Sequence, residues 1–476
     1  VMANLVCLRL TDGAEGLRYI IGLLLLSISM LAAALILPIP SLLGSGTAQA
    51  RKISFIRDAE IEDTIRLFGT PLFAVAGLEP SSVRVYLVND PTLNAFVAGG
   101  QKIFINTGLL IASDNANQVI GVIAHETGHI TGGHLARTQD ALRHASAQSI
   151  MAFVLGAAAA IAGQGAAGQA IIAGGSQVAQ RSFLKYSRVQ EGSADGAAIA
   201  MLEQTGQSAQ GMLTFFDNLG DQEALLTASQ DPYVRTHPLT RNRVDAIRAH
   251  VEGSRFSNAK ERPLFVERHA RMKAKLTGFL DSAVTAFRTY PPTDNSLPGR
   301  YARAIARHKK RETEKALALM AGLLEERPND PYFHEFHGQI LFESGQAEAA
   351  VPPYERAVTL RPDEPLLRIG LGQAQVTVES GRYIDAAIEN LRHAVRLAPG
   401  NPSAWRWLGM AHGRKGNIGQ AALATAERYI LTGKFRDAIG QANRAEHDLP
   451  KGSPGWLRAQ DLKTAAEQVI ERRAKK

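Results

Sequence analysis

The sequence predicts an α+β domain followed by an all-α solenoid of stacked helical pairs. Three observations support this. Residues 83–88 alternate between apolar and polar positions as a half-buried strand does. Gly99-Gly100 separates two short apolar runs, which indicates a hairpin. Beyond about residue 300, proline and glycine recur with the 34-residue period of a helical repeat. A chain of 476 residues is also too long to fold around one hydrophobic core, which favours two or three domains.

The composition is that of a folded globular protein, with 45% hydrophobic and 21% charged residues. The formal net charge is +8, so the chain is basic. Its basic residues are scattered and no nucleic-acid-binding motif accompanies them. We therefore predict solvated basic helix faces that allow peripheral contact with a membrane surface, and we predict no nucleic-acid partner.

The first 50 residues have the pattern of a secretory signal. Arg18 precedes an apolar stretch at 19–37, and Ala48-Gln49-Ala50 provides a cleavage site after Ala50. The apolar stretch is longer than most signal cores, so an uncleaved N-terminal anchor is the alternative. The single cysteine, Cys7, would be lost on cleavage, which suits an oxidising compartment and excludes thiolate zinc ligands.

The chain then divides by composition and period. Pro328 and Pro362 are 34 residues apart, as are Gly338 and Gly372, which matches the tetratricopeptide repeat. A loop-forming stretch rich in proline precedes these repeats. The predicted segments are a signal at 1–50, the α+β domain at 51–285, a linker at 286–299, repeats at 300–450 and a C-terminal helix at 451–476.

Residues 150–180 are rich in alanine and glycine. Glutamines and glycines interrupt the apolar run, which leaves it too short to cross a bilayer. A helical lid or a small-residue packing surface is predicted in preference to a membrane span.

The catalytic motif is predicted to be His125-Glu126-Thr127-Gly128-His129. It follows the apolar run at 119–124 in a helix predicted over 118–147. Residues four apart share one face of a helix, so the two imidazoles can bind one Zn²⁺. Glu126 would then lie beside the water at the metal and act as general base. The motif predicts a zincin-type hydrolase domain with one zinc ion per chain.

The third zinc ligand must come from elsewhere. The metzincin pattern requires histidine at position 135, which is Leu135, and on a continuing helix His134 would point away from the metal. Glu191 is the better candidate, at the start of a predicted helix that ends near Gln204. Its alternative role is a carboxylate that stabilises a helix N-terminus. Asp195, one turn further, either orients a ligand imidazole or donates a proton to the leaving group.

His237 lies in a predicted loop before a helix that begins near Arg241. A histidine in such a loop is usually a surface residue or a local cap. The alternative is that His237 occupies the open zinc position and excludes water until it is displaced.

Together these motifs resemble the BepA/YfgC group of periplasmic zinc metalloproteases, which carry an HtpX-like gluzincin domain followed by tetratricopeptide repeats. The resemblance rests on Asn94-Ala95-Phe96 with Gly99-Gly100, residues 125–134 and 191–195, His237-Pro238, and Gly452-Ser453-Pro454. The resemblance implies that His125, His129 and Glu191 bind zinc, that Glu126 and Asp195 are catalytic, and that His237 is a regulatory fourth ligand. It also implies that Asn94, Ala95 and Phe96 bind an extended substrate as an edge strand.

The function that this resemblance implies is a periplasmic endopeptidase that degrades misfolded or stalled outer-membrane proteins and assists their assembly. Its expected partners are unfolded or misassembled envelope proteins and, through the repeats, the outer-membrane assembly machinery. One alternative is a scaffold or chaperone built on the repeats, with a latent protease site. A weaker alternative is zinc hydrolysis of a non-peptide substrate such as cell-wall material.

Overall fold

The computed structural model describes residues 54–138, isolated positions between 140 and 155, residues 165–225 and residues 237–475. The predicted signal at 1–50 and most of the Ala/Gly-rich segment before residue 165 lie outside the described residues. Ile53–Lys476 forms one compact unit. Within the described part of the chain, no helix is long and apolar enough to span a membrane.

Four short strands form a mixed sheet: β1 (Phe55–Ile56), β2 (Arg84–Val88), β3 (Ala95–Val97) and β4 (Lys102–Asn106). Their order is β1-β2-β4-β3, with β2 and β4 parallel and the other two pairs antiparallel. The predicted strand and hairpin are therefore confirmed. Gly99 and Gly100 have φ of 61° and 91° in the hairpin loop, a region that side chains with a Cβ rarely adopt. β3 is an edge strand of this sheet.

Eight helices accompany the sheet in the described part of the first half. They are α1 (Ala59–Val75), α2 (Thr107–Ala112), α3 (Ala116–Thr131), α4 (Gly165–Gln204), α5 (Gln210–Leu225), α6 (Arg241–Gly253), α7 (Pro263–Leu280) and α8 (Ala283–Thr289). Asp58 begins α1 by accepting a hydrogen bond from the Ile61 N–H, and Asn115 begins α3 by the same means. The apolar faces of α1 and α3 pack against the sheet around Phe68, Ile105 and Ile123, and α5 packs on α3.

Two helix predictions need correction. The helix predicted over 118–147 ends at Thr131, because Gly133 takes a φ of 61° and turns the chain before a helical segment at 134–138. Glu191 does not open a helix: it lies well inside α4, which extends from Gly165 to Gln204. The role of a carboxylate at a helix N-terminus is therefore excluded for Glu191.

A close crossing of α3 and α4 brings Glu191 beside the histidine motif. A Cβ on Gly128 would lie 2.6 Å from the carbonyl oxygen of Ala194, so only glycine allows this approach. The crossing places Glu191, one turn before Ala194 on α4, against the face of α3 that carries His125 and His129.

The second half consists of helices packed in chain order. They are α9 (Leu297–Lys309), α10 (Thr313–Glu326), α11 (Pro331–Glu343), α12 (Ala347–Leu360), α13 (Pro365–Thr377), α14 (Ile384–Leu397), α15 (Pro402–Arg414), α16 (Ile418–Leu431), α17 (Phe435–Asp448) and α18 (Pro454–Ala474). Gly338 fills a small position of the repeat, since its Cβ would lie 2.8 Å from the Tyr354 ring. The segment predicted as a linker, 286–299, contains the end of α8 and the start of α9.

The first repeats pack on the peptide segment that begins α1. Ala59 belongs to one apolar cluster with Tyr332 and Tyr354. Glu60 is fully buried. It forms an ion pair of 2.6 Å with Arg271 on α7 and accepts a hydrogen bond of 2.9 Å from the Tyr301 hydroxyl on α9. A buried ionic cluster therefore joins the two halves.

Candidate metal centre

Two helices and a loop bring together four side chains that can bind a metal: His125, His129, Glu191 and His237. His125 and His129 lie one turn apart on α3, Glu191 comes from α4, and His237 precedes α6. Each offers one ligand atom, and these four atoms all lie within 4.8 Å of one another. The structure thus groups the four residues that the sequence analysis singled out as metal ligands.

The spacing of the ligand atoms fits a tetrahedral zinc shell. The Nε2 atoms of His125 and His129 are 3.0 Å apart, and Glu191 approaches these two atoms at 3.4 and 3.5 Å. His237 Nδ1 lies 3.3 Å from His125 Nε2 and 3.2 Å from a Glu191 oxygen. Zinc bonds of about 2.0–2.2 Å at tetrahedral angles separate the ligand atoms by about 3.4 Å. Two imidazoles and one carboxylate, with a third histidine beside them, therefore fit Zn²⁺.

The electrostatics of this group favour positive charge. Burial lowers the pKa of His125, but hydrogen bonds to Asp195 and Glu191 outweigh it and raise the value to about 9. Burial and the neighbouring His125 lower the pKa of His129 to about 2. Burial raises the pKa of Glu191, yet its contacts with His125 and His237 bring it below its ordinary value. The carboxylates of Glu191 and Asp195 thus place negative charge beside His125, which suits a bound cation.

Glu126 is the unusual group of the site. Its carboxylate is fully buried, and neither oxygen has a hydrogen-bond partner among the described residues. The Nε2 atom of His237 lies 3.5 Å from Oε1, beyond good hydrogen-bond geometry. Burial raises the pKa of Glu126. A buried carboxylate without hydrogen bonds is costly, so its retention beside the ligand atoms indicates a chemical role.

Asp195 and Arg243 hold His125 in position. Asp195 Oδ1 accepts a hydrogen bond of 2.8 Å from His125 Nδ1, which directs Nε2 toward the other ligand atoms. Arg243 donates to both Asp195 oxygens, at 2.6 and 2.9 Å. Burial raises the pKa of Asp195, but Arg243 and His125 lower it below its ordinary value. Asp195 is therefore an ionised acceptor whose two oxygens are both used.

Comparison with known proteins agrees with this geometry. Residues 58–251 match the model of peptidase family M48, and residues 301–365 and 371–439 match a tetratricopeptide-repeat model. The chain thus joins a domain that matches peptidase family M48 to tetratricopeptide repeats. The predicted fold class and the predicted metallopeptidase are thereby confirmed.

The relatives of this metallopeptidase support the predicted resemblance. The beta-barrel assembly-enhancing protease of Yersinia pestis is 26% identical over 84% of this chain and 82% of its own length. The protein of that name from Escherichia coli (strain K12) is also 26% identical, over 84% of this chain and 81% of its own length. Metalloprotease YcaL of the latter organism is 28% identical over 36% of this chain and 63% of its own. The first two relatives therefore extend across both the M48 domain and the repeats.

Two residues of the M48 site were missed by the sequence analysis. Arg243 was not considered, although its four-residue spacing from Ile247 and Val251 could have predicted that it is buried. These three residues form the buried face of α6. His134 was expected to point away on a continuing helix. Because the helix ends before Gly133, the His134 ring instead returns to His129 and places the two Nδ1 atoms 2.9 Å apart.

The edge strand β3 borders the M48 site. The Ala95 carbonyl accepts a hydrogen bond of 3.1 Å from His237 Nε2, so the His237 ring lies between the strand and the ligand atoms. Asn94 precedes β3, and the Phe96 ring stacks on Phe104 at 5.0 Å on the other face of the sheet. Of the three residues predicted to bind substrate, Ala95 thus contacts the metal group, whereas the side chain of Phe96 lies on the opposite face of the sheet.

Proposed function

We propose that this metallopeptidase is a zinc-dependent endopeptidase. His125, His129 and Glu191 would hold Zn²⁺, and Glu126 would move the proton. The observation that carries this proposal is the buried carboxylate of Glu126, which has no hydrogen-bond partner among the described residues and lies beside ligand atoms spaced for a tetrahedral ion. Zinc, when bound, supplies a Lewis acid that makes water acidic near neutral pH and polarises a peptide carbonyl.

The residues of the chain divide the remaining work. Glu126 accepts the proton of the attacking water, because it is the carboxylate at the site that has no hydrogen bond among the described residues, and later returns it to the leaving amine. Asp195 acts as a positioning residue: its hydrogen bond to His125 Nδ1 fixes the tautomer whose Nε2 faces the metal. Since both oxygens of Asp195 are engaged, we do not assign it the second predicted role, that of proton donor to the leaving group.

His237 is proposed as the fourth ligand of a closed form. Its ring contacts Glu191 and covers the Ala95 carbonyl, so it excludes both water and an added substrate strand. An extended substrate segment would displace it and pair with the edge strand at Asn94, Ala95 and Phe96. Removal of the ring by His237→Ala is expected to increase cleavage of unfolded protein while zinc remains bound.

For the biological role, we propose degradation of misfolded or stalled outer-membrane proteins, with assistance to their assembly. Support comes from the two beta-barrel assembly-enhancing proteases that match 84% of this chain. The repeats would contact the assembly machinery and unfolded envelope proteins. We propose a periplasmic location after cleavage behind Ala50, and the domain boundaries given by the sequence analysis.

The test of the enzyme is Glu126→Gln. Casein cleavage by the full zinc-loaded chain is expected to fall by about 10²–10⁴-fold, because glutamine cannot accept the proton. Zinc content, measured by elemental analysis, should remain at one ion per chain. Glu252→Gln, on the exposed side of α6, is the matched control and should leave activity unchanged. A zinc-loaded Glu126→Gln chain that cleaves casein normally would overturn the proposal.

A second candidate function is that of a repeat scaffold or chaperone with a latent protease site. The observation that favours it is the position of His237 inside the metal group. It predicts that cells carrying Glu126→Gln retain most of the function of the full chain. Complementation of a deletion strain separates the candidates, because the protease requires Glu126 and the scaffold does not.

A further inference from the structure

An apolar cavity of about 590 Å³ lies beside the metal group, between the hairpin tip and the end of α3. Its apolar walls come from Leu78, Val97, Ile130 and Leu135, and His129 forms the wall that it shares with the metal group. Among the described residues that line it, His129 is the one titratable side chain. The cavity is large enough for one apolar side chain and offers no charged partner.

The open edge of β3 sets which residues a bound strand would meet. Asn94 and Ala98 direct main-chain groups toward β4, where they bond Asn106 and Lys102. In an antiparallel pair, residues alternate between facing the partner strand and facing away from it. Ala95 and Val97 therefore present their main-chain groups to the open side, and the Ala95 carbonyl already bonds His237 there.

The pairing register of β3 and β4 shows which face of the sheet each side chain of β3 occupies. Ala95 lies opposite Ile105 and Val97 opposite Ile103, all on the side that packs on the helices, whereas Phe96 stacks on the other face. Directly opposite residues of paired strands place their side chains on one face. A substrate residue opposite Val97 therefore directs its side chain toward the cavity that Val97 lines.

The metal group fixes where the cleaved bond lies along this strand. The His237 ring, which bonds the Ala95 carbonyl, is 3.2 Å from Glu191. A substrate residue opposite Ala95 thus flanks the cleaved bond. In an antiparallel strand, the residue opposite Val97 comes two positions earlier in the substrate.

We propose that this cavity selects an apolar side chain on the N-terminal side of the cleaved bond, two residues before the residue opposite Ala95. The inference rests on the proposed endopeptidase function. It makes the enzyme prefer segments with a large aliphatic or aromatic residue, which are buried in folded proteins and exposed in unfolded ones.

The experiment is cleavage profiling with the full zinc-loaded chain. A library of peptides from a digested proteome is incubated with the protein, and the cut sites are read by mass spectrometry. We expect apolar residues to be enriched at one position on the N-terminal side, by about tenfold or more over lysine. A flat profile, or enrichment only on the C-terminal side, would overturn the inference.

Paired variants test the cavity itself. Leu135→Glu places a carboxylate at the exposed part of the wall and should shift the preference at that position toward lysine and arginine. Leu264→Glu, at a more exposed leucine on α7, is the control and should leave the profile unchanged. Ala136→Trp should narrow the cavity and shift the preference toward alanine and glycine. Profiles of Leu135→Glu and Ala136→Trp that match the wild type would also refute it.

The two proposals fail in different ways. If the wild-type chain binds no zinc and cuts no peptide, the proposed function fails. If it binds zinc, cuts peptides in a Glu126-dependent manner and shows no apolar preference at the predicted position, the cavity inference alone fails.

Discussion

Glu60→Gln is expected to weaken the junction between the M48 domain and the repeats. Glu60 is fully buried, with Arg271 at 2.6 Å, the Tyr301 hydroxyl at 2.9 Å and Lys275 at 3.4 Å. Glutamine keeps the shape of the side chain and removes its charge. Two buried cations would then lose their shared anion, which is far more costly than losing a surface pair.

The magnitude follows from the titration of Glu60. Burial alone would raise its pKa, but Arg271 and Lys275 outweigh this and lower it from 4.5 to about 2. Each unit of pKa corresponds to about 1.4 kcal/mol, so the charged form contributes about 3 kcal/mol at pH 7. This agrees with the cost of about 3–5 kcal/mol for breaking a buried ion pair. Because the folded pKa is depressed, the contribution is complete above pH 4.5 and is lost as the pH falls toward 2.

Urea unfolding of the full chain measures this effect. The three tryptophans all lie in the second half, Trp405 and Trp407 in the repeats and Trp456 in the C-terminal helix α18, so their fluorescence reports whether a change in α1 destabilises that half. At pH 7 we expect Glu60→Gln to lower the free energy of unfolding by about 3 kcal/mol. At pH 3 the wild type has lost about 2 kcal/mol of this contribution, so the difference should shrink to about 1 kcal/mol.

Glu62→Gln is the matched control on the same helix. Glu62 pairs with the half-exposed Arg57, so its loss is expected to cost less than about 1 kcal/mol at either pH. Equal effects of Glu60→Gln and Glu62→Gln would refute the argument. A difference between wild type and Glu60→Gln that stays constant from pH 7 to pH 3 would refute it as well.

Three further variants test the site. Arg243→Leu should weaken zinc binding about 10–100-fold, measured by competition with a chelator, because Asp195 loses the cation that orients it. Arg248→Leu, on the exposed side of α6, is the control and should leave zinc binding unchanged. Gly128→Ala should lower the melting temperature and the zinc affinity together, since the new methyl group would clash with the Ala194 carbonyl. Gly192→Ala is the control: its methyl group would lie in open space, so it should not lower the melting temperature. His237→Ala should raise casein cleavage at unchanged zinc content; equal or lower cleavage would contradict the closed form.

The local patterns of the sequence were sufficient for much of the fold. The hairpin at Gly99-Gly100 and the helix that carries His125 depend on residues close in sequence, and both were predicted. The repeats were predictable for another reason: a 34-residue period identifies helical pairs without any knowledge of their contacts. Gly338 and Gly372 keep that period because side chains of the next helix approach them closely.

Helix ends and contacts between helices were harder to predict. The sequence before Glu191 contains glycines and polar residues that weaken a helix, so a start near Glu191 was a reasonable interpretation. The structure continues α4 through them, because tertiary packing overrides a weak intrinsic preference. His134 shows the opposite error, since one residue with positive φ at Gly133 reversed its direction.

The metal group also shows why Arg243 was not found from chemical motifs. Arg243 binds no metal: it acts on Asp195, which acts on His125. Each step joins a different element, and no short spacing in the sequence records it. The usable signal was physical, namely an arginine on the buried face of a short amphipathic helix. A buried arginine requires a carboxylate partner, and Arg243 has two, Asp195 and Glu191.

These contacts imply that zinc binding and folding of the M48 domain are linked. His125, Glu191 and His237 are separated in sequence by as many as 112 residues and meet only when α3, α4 and the start of α6 pack together. The unfolded chain cannot hold that geometry, so a bound ion would stabilise the folded state by mass action. The same linkage applies to Glu126: the packing of the domain, and a metal ion when bound, would offset the cost of burying a carboxylate that has no hydrogen bond among the described residues.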